Sequence, residues 1–315
     1  MKAFIHQCYT ISTLNSIENG ILSGLKLSNS RELIEPPYKE IIPASILRRM
    51  SKVIRMGTAA ALKVSNGIRV GGIIVGSGSG CYDNSIIFTR EYLNPDAGLF
   101  SPTSFIQSTD NTIAGQIAII LNNNSYNNTY IHKGLAFENA LIDAMLLSNE
   151  TDQAILMGGV DEKLKDFALS DEYIKSNPNT WIGEGASFFI IGQSSLNALA
   201  RVEAIWMISG RTDSPDKSIK IFLADNDLIF PDLILYGESF PKIIAHGKDI
   251  TGARKYNYSN HSGVYFTNSA FGTHLAVELL SQPEVAAKMG LPAKSILVLN
   301  SFYKHDFGMT YLSAV

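Results

Sequence analysis

Asp152-Gln-Ala-Ile-Leu-Met-Gly-Gly-Val-Asp-Glu162 sets a near-continuous apolar run, Gln153–Met157, against a glycine pair and two acids. Such a run suits a strand buried on both faces, although periodicity alone does not separate it from a piece of buried helix. Similar runs lie outward in both directions, at Ala3–His6, Arg69–Gly76, Ala186–Ile191, Leu233–Tyr236, Val264–Thr267 and Ser295–Asn300. Helical patterns separate them. Pro43 to Met50 begins with a proline suited to a first helical position, and Ala59 to Leu62 continues into good helix formers. Ile113 to Leu121 is apolar almost all round and is expected to be buried. Phe137 to Leu147 carries Ala and Leu on one face, with Glu138 and Asp143 on the other. Asn122 to Asn128 reads as a polar, turn-rich loop, and Arg211 to Lys217 as a surface connection placed where two halves would join. The alternation predicts a layered α/β protein with covered strands.

Composition bounds the function. The chain has 315 residues, 45% hydrophobic and 17% charged, enough for a large core in one big domain or two ordinary ones. Lys plus Arg number 26 against 29 Asp plus Glu, a formal charge of −3 with no basic stripe, which argues against nucleic acid and anionic membrane as partners. Two cysteines, Cys8 and Cys81, are too few for a disulfide scaffold or a structural zinc cluster and fit a reducing cytoplasm. The start, Met1 to Thr13, is unlike a secretory segment, and no apolar run approaches the roughly 20 residues of a membrane span. The expectation is a soluble cytoplasmic protein.

Each motif has a plain reading beside the chemical one. Gly76-Ser-Gly-Ser-Gly80 follows a strand but fits neither G-x-G-x-x-G nor the P-loop spacing, so it reads as a strand-ending loop. Cys81 is expected in that loop, away from a helix start, as an ordinary thiol. No two of the six histidines stand at i, i+4 to one another, which predicts no metal site. His246 and His274 are the two to keep in view. In Ser101 to Ile120, SPTSFIQSTDNTIAGQIAII, a polar segment runs into an apolar helix, so Asp110 to Thr112 sit where a helix N-terminus would hold an anion or activate a nucleophile; the plain alternative is an N-cap.

Five phrases in order resemble the β-ketoacyl-acyl carrier protein synthases, condensing enzymes of the thiolase fold. Pro43 to Ala61 resembles the family helix with an Arg-Arg-Met core and an alanine-rich run. Asp152 to Glu162 resembles its Asp-x-Ala-x-x-Gly-Gly-x-Asp-Glu strand and turn. Gly183-Glu-Gly-Ala186 matches the entry to the last strand of the first half, Thr267-Asn-Ser-Ala-Phe-Gly272 its Thr-Lys-Ser-x-x-Gly-His segment, and Asn300-Ser-Phe302 its closing Asn-Ser-Phe-Gly. The resemblance implies two similar α/β halves, residues 1–194 and a trimmed 195–315, in a five-layered α-β-α-β-α arrangement, and usually a dimer.

The family works through a cysteine at a helix N-terminus and two histidines. Aligning its Cys-x-x-Gly-x-x-Ala start with Thr112-Ile-Ala-Gly115-Gln-Ile-Ala118 places Thr112 at the nucleophile, with Asn111 or Asp110 if the register slips. Neither Cys8 nor Cys81 falls in the matching element. The first histidine falls on Tyr236 or Gly237, with a rival register at His246-Gly247. The second falls on Thr273, with His274 one residue late and turned about 100° away, and the lysine becomes Asn268. This pattern resembles chain-length-factor subunits of type II polyketide and aryl-polyene or flexirubin-type systems. It implies a non-catalytic subunit paired with a cysteine-bearing ketosynthase, acting on acyl-phosphopantetheine borne by an acyl carrier protein, with no cofactor or metal of its own. Phe105 and Ile106 are expected at the tunnel wall or dimer face. The rival reading is an enzyme using Thr112, Ser108 or Asp110 with His246 or His274 as base.

Overall fold

A computed structural model describes residues 1–14, 20–25, 31–94, 101–164, 181–209, 215–237, 252–302 and 306–315. Among these residues ten strands are formed: β1 (Ala3–Ile11), β2 (Gly72–Ser77), β3 (Tyr126–Ile131), β4 (Ile155–Asp161), β5 (Gly185–Gly192), β6 (Ala200–Ser209), β7 (Leu233–Tyr236), β8 (Arg254–Asn257), β9 (Ser295–Phe302) and β10 (Asp306–Ser313). They make one sheet in the order β3-β2-β4-β5-β1-β6-β10-β9-β7-β8. The order is a duplication. In the first half β2 pairs in parallel with β3 and β4, while β5 is antiparallel to β4 and β1. In the second half β7 pairs in parallel with β8 and β9, while β10 is antiparallel to β9 and β6. The halves meet where β1 and β6 pair, over Ala3–Ile5.

Strand alternation sorts side chains into three cores. Ile74, Met157, Phe189 and Ile191 of the first half share a central core with Leu233, Leu235, Ile296 and Val298 of the second. Their neighbours Ile73, Val75, Leu156 and Phe188 point the other way, into a core with the helices Lys52–Ser65 and Thr112–Leu121. Ile234, Leu297, Leu299 and Met309 face the helix Pro215–Asp225. The central core is filled by two long helices, Ala136–Thr151 and Asn268–Ser281. The five layers are thus helix, half-sheet, helix pair, half-sheet, helix.

Several local expectations are corrected. Val264–Thr267 is no strand: Val264 makes a single bridge to Ile182, and Thr267 turns into the Asn268 helix. The polar run Asn122–Asn128 ends as strand, because Tyr126–Ile131 supplies the edge next to β2. The Arg211–Lys217 connection passes into helix at Pro215, its earlier part lying outside the described residues. The Thr112–Leu121 helix buries one side only, with Ile119 67% exposed, since it lies in an outer layer. Glu138 is buried, not on a polar face, because its helix is sandwiched between the half-sheets. Cys81 does sit at a helix start, as N-cap of Tyr82–Leu93; burial, Asp110 and Glu162 nonetheless push its thiol up to about 12, so it is inert.

Candidate functional site

The positions aligned with the family histidines and lysine converge in the central layer. Gly237 follows β7, Asn268 opens the Asn268–Ser281 helix, and Gly272 and Thr273 lie one turn in. Between them stands Tyr258, fully buried. Its hydroxyl donates to the Leu299 carbonyl at 3.2 Å, which also accepts the Gly237 N–H at 3.3 Å. A Cβ on Gly272 would meet the Tyr258 ring at 2.8 Å, and one on Gly237 would meet its hydroxyl at 3.0 Å. Both glycines are there because the ring needs the space. Asn268 donates to Ser259 Oγ and the Gly263 carbonyl, and Thr273 Oγ1 to Ser269 O at 2.9 Å. The space between Gly237 and Gly272 is therefore solid protein built around a phenol. Tyr236 ends β7 half-buried, and His246 lies outside the described residues.

The candidate nucleophiles are elsewhere. Ile113, Ala114 and Ile117 pack in the outer core, whereas Tyr258, Ala270 and Phe271 pack in the central one, so the first half-sheet separates Thr112 from the Tyr258 site. Thr112 Oγ1 contacts the Ile106 carbonyl at 2.5 Å and Thr109 Oγ1 at 2.8 Å. Ser108 Oγ donates to the Phe105 carbonyl at 2.7 Å, and exposed Asp110 accepts the Cys81 N–H at 3.3 Å. Asn111 is the formal N-cap but makes no capping bond, its place being taken by hydroxyls folding back on their own turn.

His274 is a structural ion. Thr10 Oγ1 donates to Ser187 Oγ at 2.7 Å, so His274 Nδ1, at 2.6 Å, must donate to Thr10. Nε2 lies 2.9 Å from Glu278 Oε1, and the Glu278 carboxylate also accepts the N–H groups of Ile21 and Leu22, each at 2.9 Å. With both nitrogens donating, the ring is an imidazolium. Burial alone would push its pKa down, but Cys8 and Glu278 outweigh this and raise it to about 10. No general base is spare here.

Sequence reasoning missed two features of the central layer. The first-half helix that shares this layer with Asn268–Ser281 is Ala136–Thr151, entered through His132, Lys133 and Gly134. Lys133 holds φ at +46°, a left-handed value rare for lysine, at a sharp strand-to-helix turn. Asn300 donates to the Gly134 carbonyl at 2.6 Å and to Glu138 Oε1 at 2.8 Å, which puts this turn beside the Leu299–Tyr258 contact. Burial drives the Glu138 carboxyl up to about 7. The second feature is Asp161, whose carboxylate accepts from Ser77, Gly78, Ser79 and Thr267 and locks the Gly76–Gly80 loop to the Thr267 turn. That loop is held by a buried acid and is no anion cradle. The acid in the Asp-Glu pair of the opening stretch was the available signal.

Among the described residues no group of three His, Cys, Asp or Glu could hold a metal, and no helix is long and apolar enough to cross a membrane. Residues 27–179 match the family model described as Beta-ketoacyl synthase, N-terminal domain. Over 100% of this chain and 99% of the other, the structure is similar to the ishigamide ketosynthase/chain length factor, at TM-score 0.78 and 14% identity. It is similar over the same shares to a Beta-ketoacyl synthase from Burkholderia phymatum STM815, at 0.74 and 12%. A ketosynthase in complex with its chain length factor from Xenorhabdus doucetiae matches over 73% of this chain and 94% of the other, at 0.53 and 15%. No curated protein matches the sequence. Residues 27–179 thus resemble a ketoacyl-synthase N-terminal domain, and the whole chain has the thiolase-like ketosynthase fold.

Proposed function

We propose that this chain is a non-catalytic, chain-length-factor-like subunit that pairs with a cysteine-bearing β-ketoacyl synthase and forms part of the wall of its acyl tunnel. The carrying observation is the Tyr258 site: where the histidines of a condensing enzyme would converge, a buried phenol closes the space between Gly237 and Gly272. The nucleophile position fares no better. A family nucleophile sits at a helix N-terminus within reach of that site, and the helix start meeting this condition is the His132–Lys133–Gly134 turn, not Thr112. It offers an imidazole or an ammonium, not a thiol.

The edges of the sheet support a partner on the first half. By the duplication β3 and β8 are equivalent edges, yet β8 carries exposed Arg254 and Lys255 while β3, Tyr-Asn-Asn-Thr-Tyr-Ile, carries no charge. Charged edges repel strand addition; neutral ones invite it. Ile131, at the end of β3, is 41% exposed, and Ile87, Phe105, Ile106 and Ile119 of the first half's outer helices are 50–67% exposed, apolar surface suited to an obligate interface. In this reading the halves are 1–194 and 195–315, the assembly is cytoplasmic and heterodimeric, and it needs no cofactor of its own. Its substrate is acyl-phosphopantetheine on an acyl carrier protein, met by the exposed Arg48 and Arg49.

Incubation with acyl carrier protein thioesters, alone and with the cysteine-bearing ketosynthase encoded beside it, tests this by intact mass. Acylation confined to the partner is expected. An adduct on this chain alone, mapped to Thr112, Ser108, Asp110 or the His132–Lys133 turn, would make it an acyl-transferring enzyme.

A further inference from the structure

The edge strand β3 has two flanks, and the helix Ala136–Thr151 packs along the one that faces the central layer. Strand alternation sends Tyr126, Asn128 and Tyr130 to this flank. There the Tyr126 hydroxyl donates to Asp143 Oδ2 at 3.0 Å, and Asn128 Nδ2 lies 3.4 Å from the same oxygen and 3.3 Å from the phenol. Burial and the same carboxylate push the Tyr130 phenol up to about 12. Tyr126 is 42% exposed, and Leu146, one turn along the helix from Asp143, is 45% exposed.

Neutral donors orient a carboxylate without cancelling its charge. Among the described residues Asp143 has no cationic partner, whereas the acids Glu184, Glu203 and Glu278 are paired with Lys52, Lys2 and His274. β3 itself carries no charge that could serve. A partner laid along β3 takes Asp143 out of water together with the phenols and Leu146, and a charge desolvated without a counterion costs more than these apolar contacts return. The occupant therefore has to bring a cation. A guanidinium fits best, because its fork matches a carboxylate through two parallel hydrogen bonds while its plane lies against phenol rings, which an ammonium does not do. A second copy of this chain fits badly: its β3 brings no charge, and its Asp143 adds a second uncompensated carboxylate.

We infer that Asp143 selects the partner, an arginine of the ketosynthase seating its guanidinium on the Asp143 carboxylate between the Tyr126 and Tyr130 rings, with Leu146 closing the apolar surround. The inference rests on the pairing proposed above and supplies the chemistry of that contact.

Surface plasmon resonance of the full chain against the ketosynthase encoded beside it tests this, at about 50 mM and about 500 mM salt, where an ion pair at an interface is screened to different extents. Asp143→Asn keeps an acceptor for Tyr126 and is expected to weaken pairing about thirtyfold or more at low salt and to flatten its salt dependence. Asp143→Glu should retain the salt dependence. Leu146→Ser should weaken pairing and leave the salt dependence as it is in the native chain. Both positions face water in the isolated chain, and unchanged thermal midpoints show that the variants fold. Phenylglyoxal labelling read by peptide mass identifies the cation: one ketosynthase arginine is expected to be protected by the native chain and not by Asp143→Asn. Equal affinity of the native chain and Asp143→Asn at both salt concentrations, or protection of no arginine, overturns the inference while the pairing stands. A chain that prefers its own copy to the ketosynthase, or that pairs with nothing, overturns both, so the two readings fail separately.

Discussion

His274 shows how a residue set apart by its motif becomes structural. It lies one residue beyond the family histidine, and the helix turns it toward Thr10 and Glu278, where it ties β1, β5 and the Gly20–Gly24 helix to the second half. Its folded pKa is raised from 6.5 to about 10. The stabilisation is therefore fully present below about pH 6.5 and lost as pH rises toward 10. Glu278 is shifted down, so its contribution is present above its ordinary carboxylate range and lost as pH falls through the depressed folded value. Glu138 adds a loss in a lower pH window. Its folded pKa is raised to about 7, so between its unfolded value of 4.5 and 7 the folded state holds a proton that the unfolded state has released, and stability falls as pH rises. Urea unfolding from pH 5 to 10 should show a continuous decline. Glu278→Gln should cost about 3–5 kcal/mol at pH 7, because an imidazolium is left buried without its ion partner. Glu138→Gln should instead raise stability at pH 8 by roughly 1–3 kcal/mol, since a neutral amide can still accept from Asn300; a loss there would mean that the carboxylate itself is required.

Elements were legible where both faces are buried. β4 and β5 are buried at every residue and β7 and β9 are nearly so, which is why their apolar runs stand out in the sequence. The edges β3 and β8 were not, because an edge strand in a duplicated sheet needs few apolar residues: the start of YNNTYI fell in a run read as loop, and RKYN carries no apolar run at all. β6 and β10 were hidden by mixed composition. The Gly183 of the Gly-Glu-Gly-Ala phrase was visible as a motif but not as a cause: a Cβ there would lie 2.0 Å from the Ser262 carbonyl oxygen, so two backbone segments from different halves touch at this point. Gly183→Ala is expected to destabilise by at least about 2 kcal/mol, measured as a shift of the urea midpoint, because backbone must move to admit one methyl. Thr112 could not be weighed in the same way. Several helix starts follow β2, and a seven-residue phrase matched the one at Thr112, whereas layer membership, which sequence spacing does not carry, puts the start of Ala136–Thr151 beside the Tyr258 site. At the β3 edge, Ile131→Lys places a charge on a 41% exposed apolar position. It should leave the thermal midpoint of the isolated chain unchanged and weaken pairing with the ketosynthase by tenfold or more by native mass spectrometry, as desolvating an unpaired ammonium costs more than the roughly 1.4 kcal/mol that a factor of ten requires.

At the scale of the molecule, the duplication gives a frame whose shape does not depend on the residues at its centre being catalytic. The central layer is held by contacts that no reaction uses: Asp161 across the Ser77–Ser79 and Thr267 turns, Glu138 with Asn300, and Glu278 with His274. On the proposed reading, Tyr258 and two glycines occupy the place of the imidazoles and add a packed phenol to that core, which leaves the outer face of the first half to carry the function. On that face Phe88 and Phe105 meet at 5.5 Å between ring centroids, with the Phe105 side chain 56% exposed and Ile106 beside it. If these side chains close the partner's tunnel, product length is a property of this subunit although the bonds are made on the other. Each buried methylene contributes about 0.8 kcal/mol, so a wall that stops the chain two carbons earlier withholds roughly 1.6 kcal/mol, enough to favour release by about an order of magnitude. Phe105→Ala and Ile106→Ala, assembled with the native ketosynthase and carrier protein, are therefore expected to shift the products by about one two-carbon unit toward greater length without changing the partner's acylation rate. Mass spectrometry of carrier-bound products reads both quantities. A slower acylation with unchanged length would assign these residues to holding the partner rather than to measuring its chain.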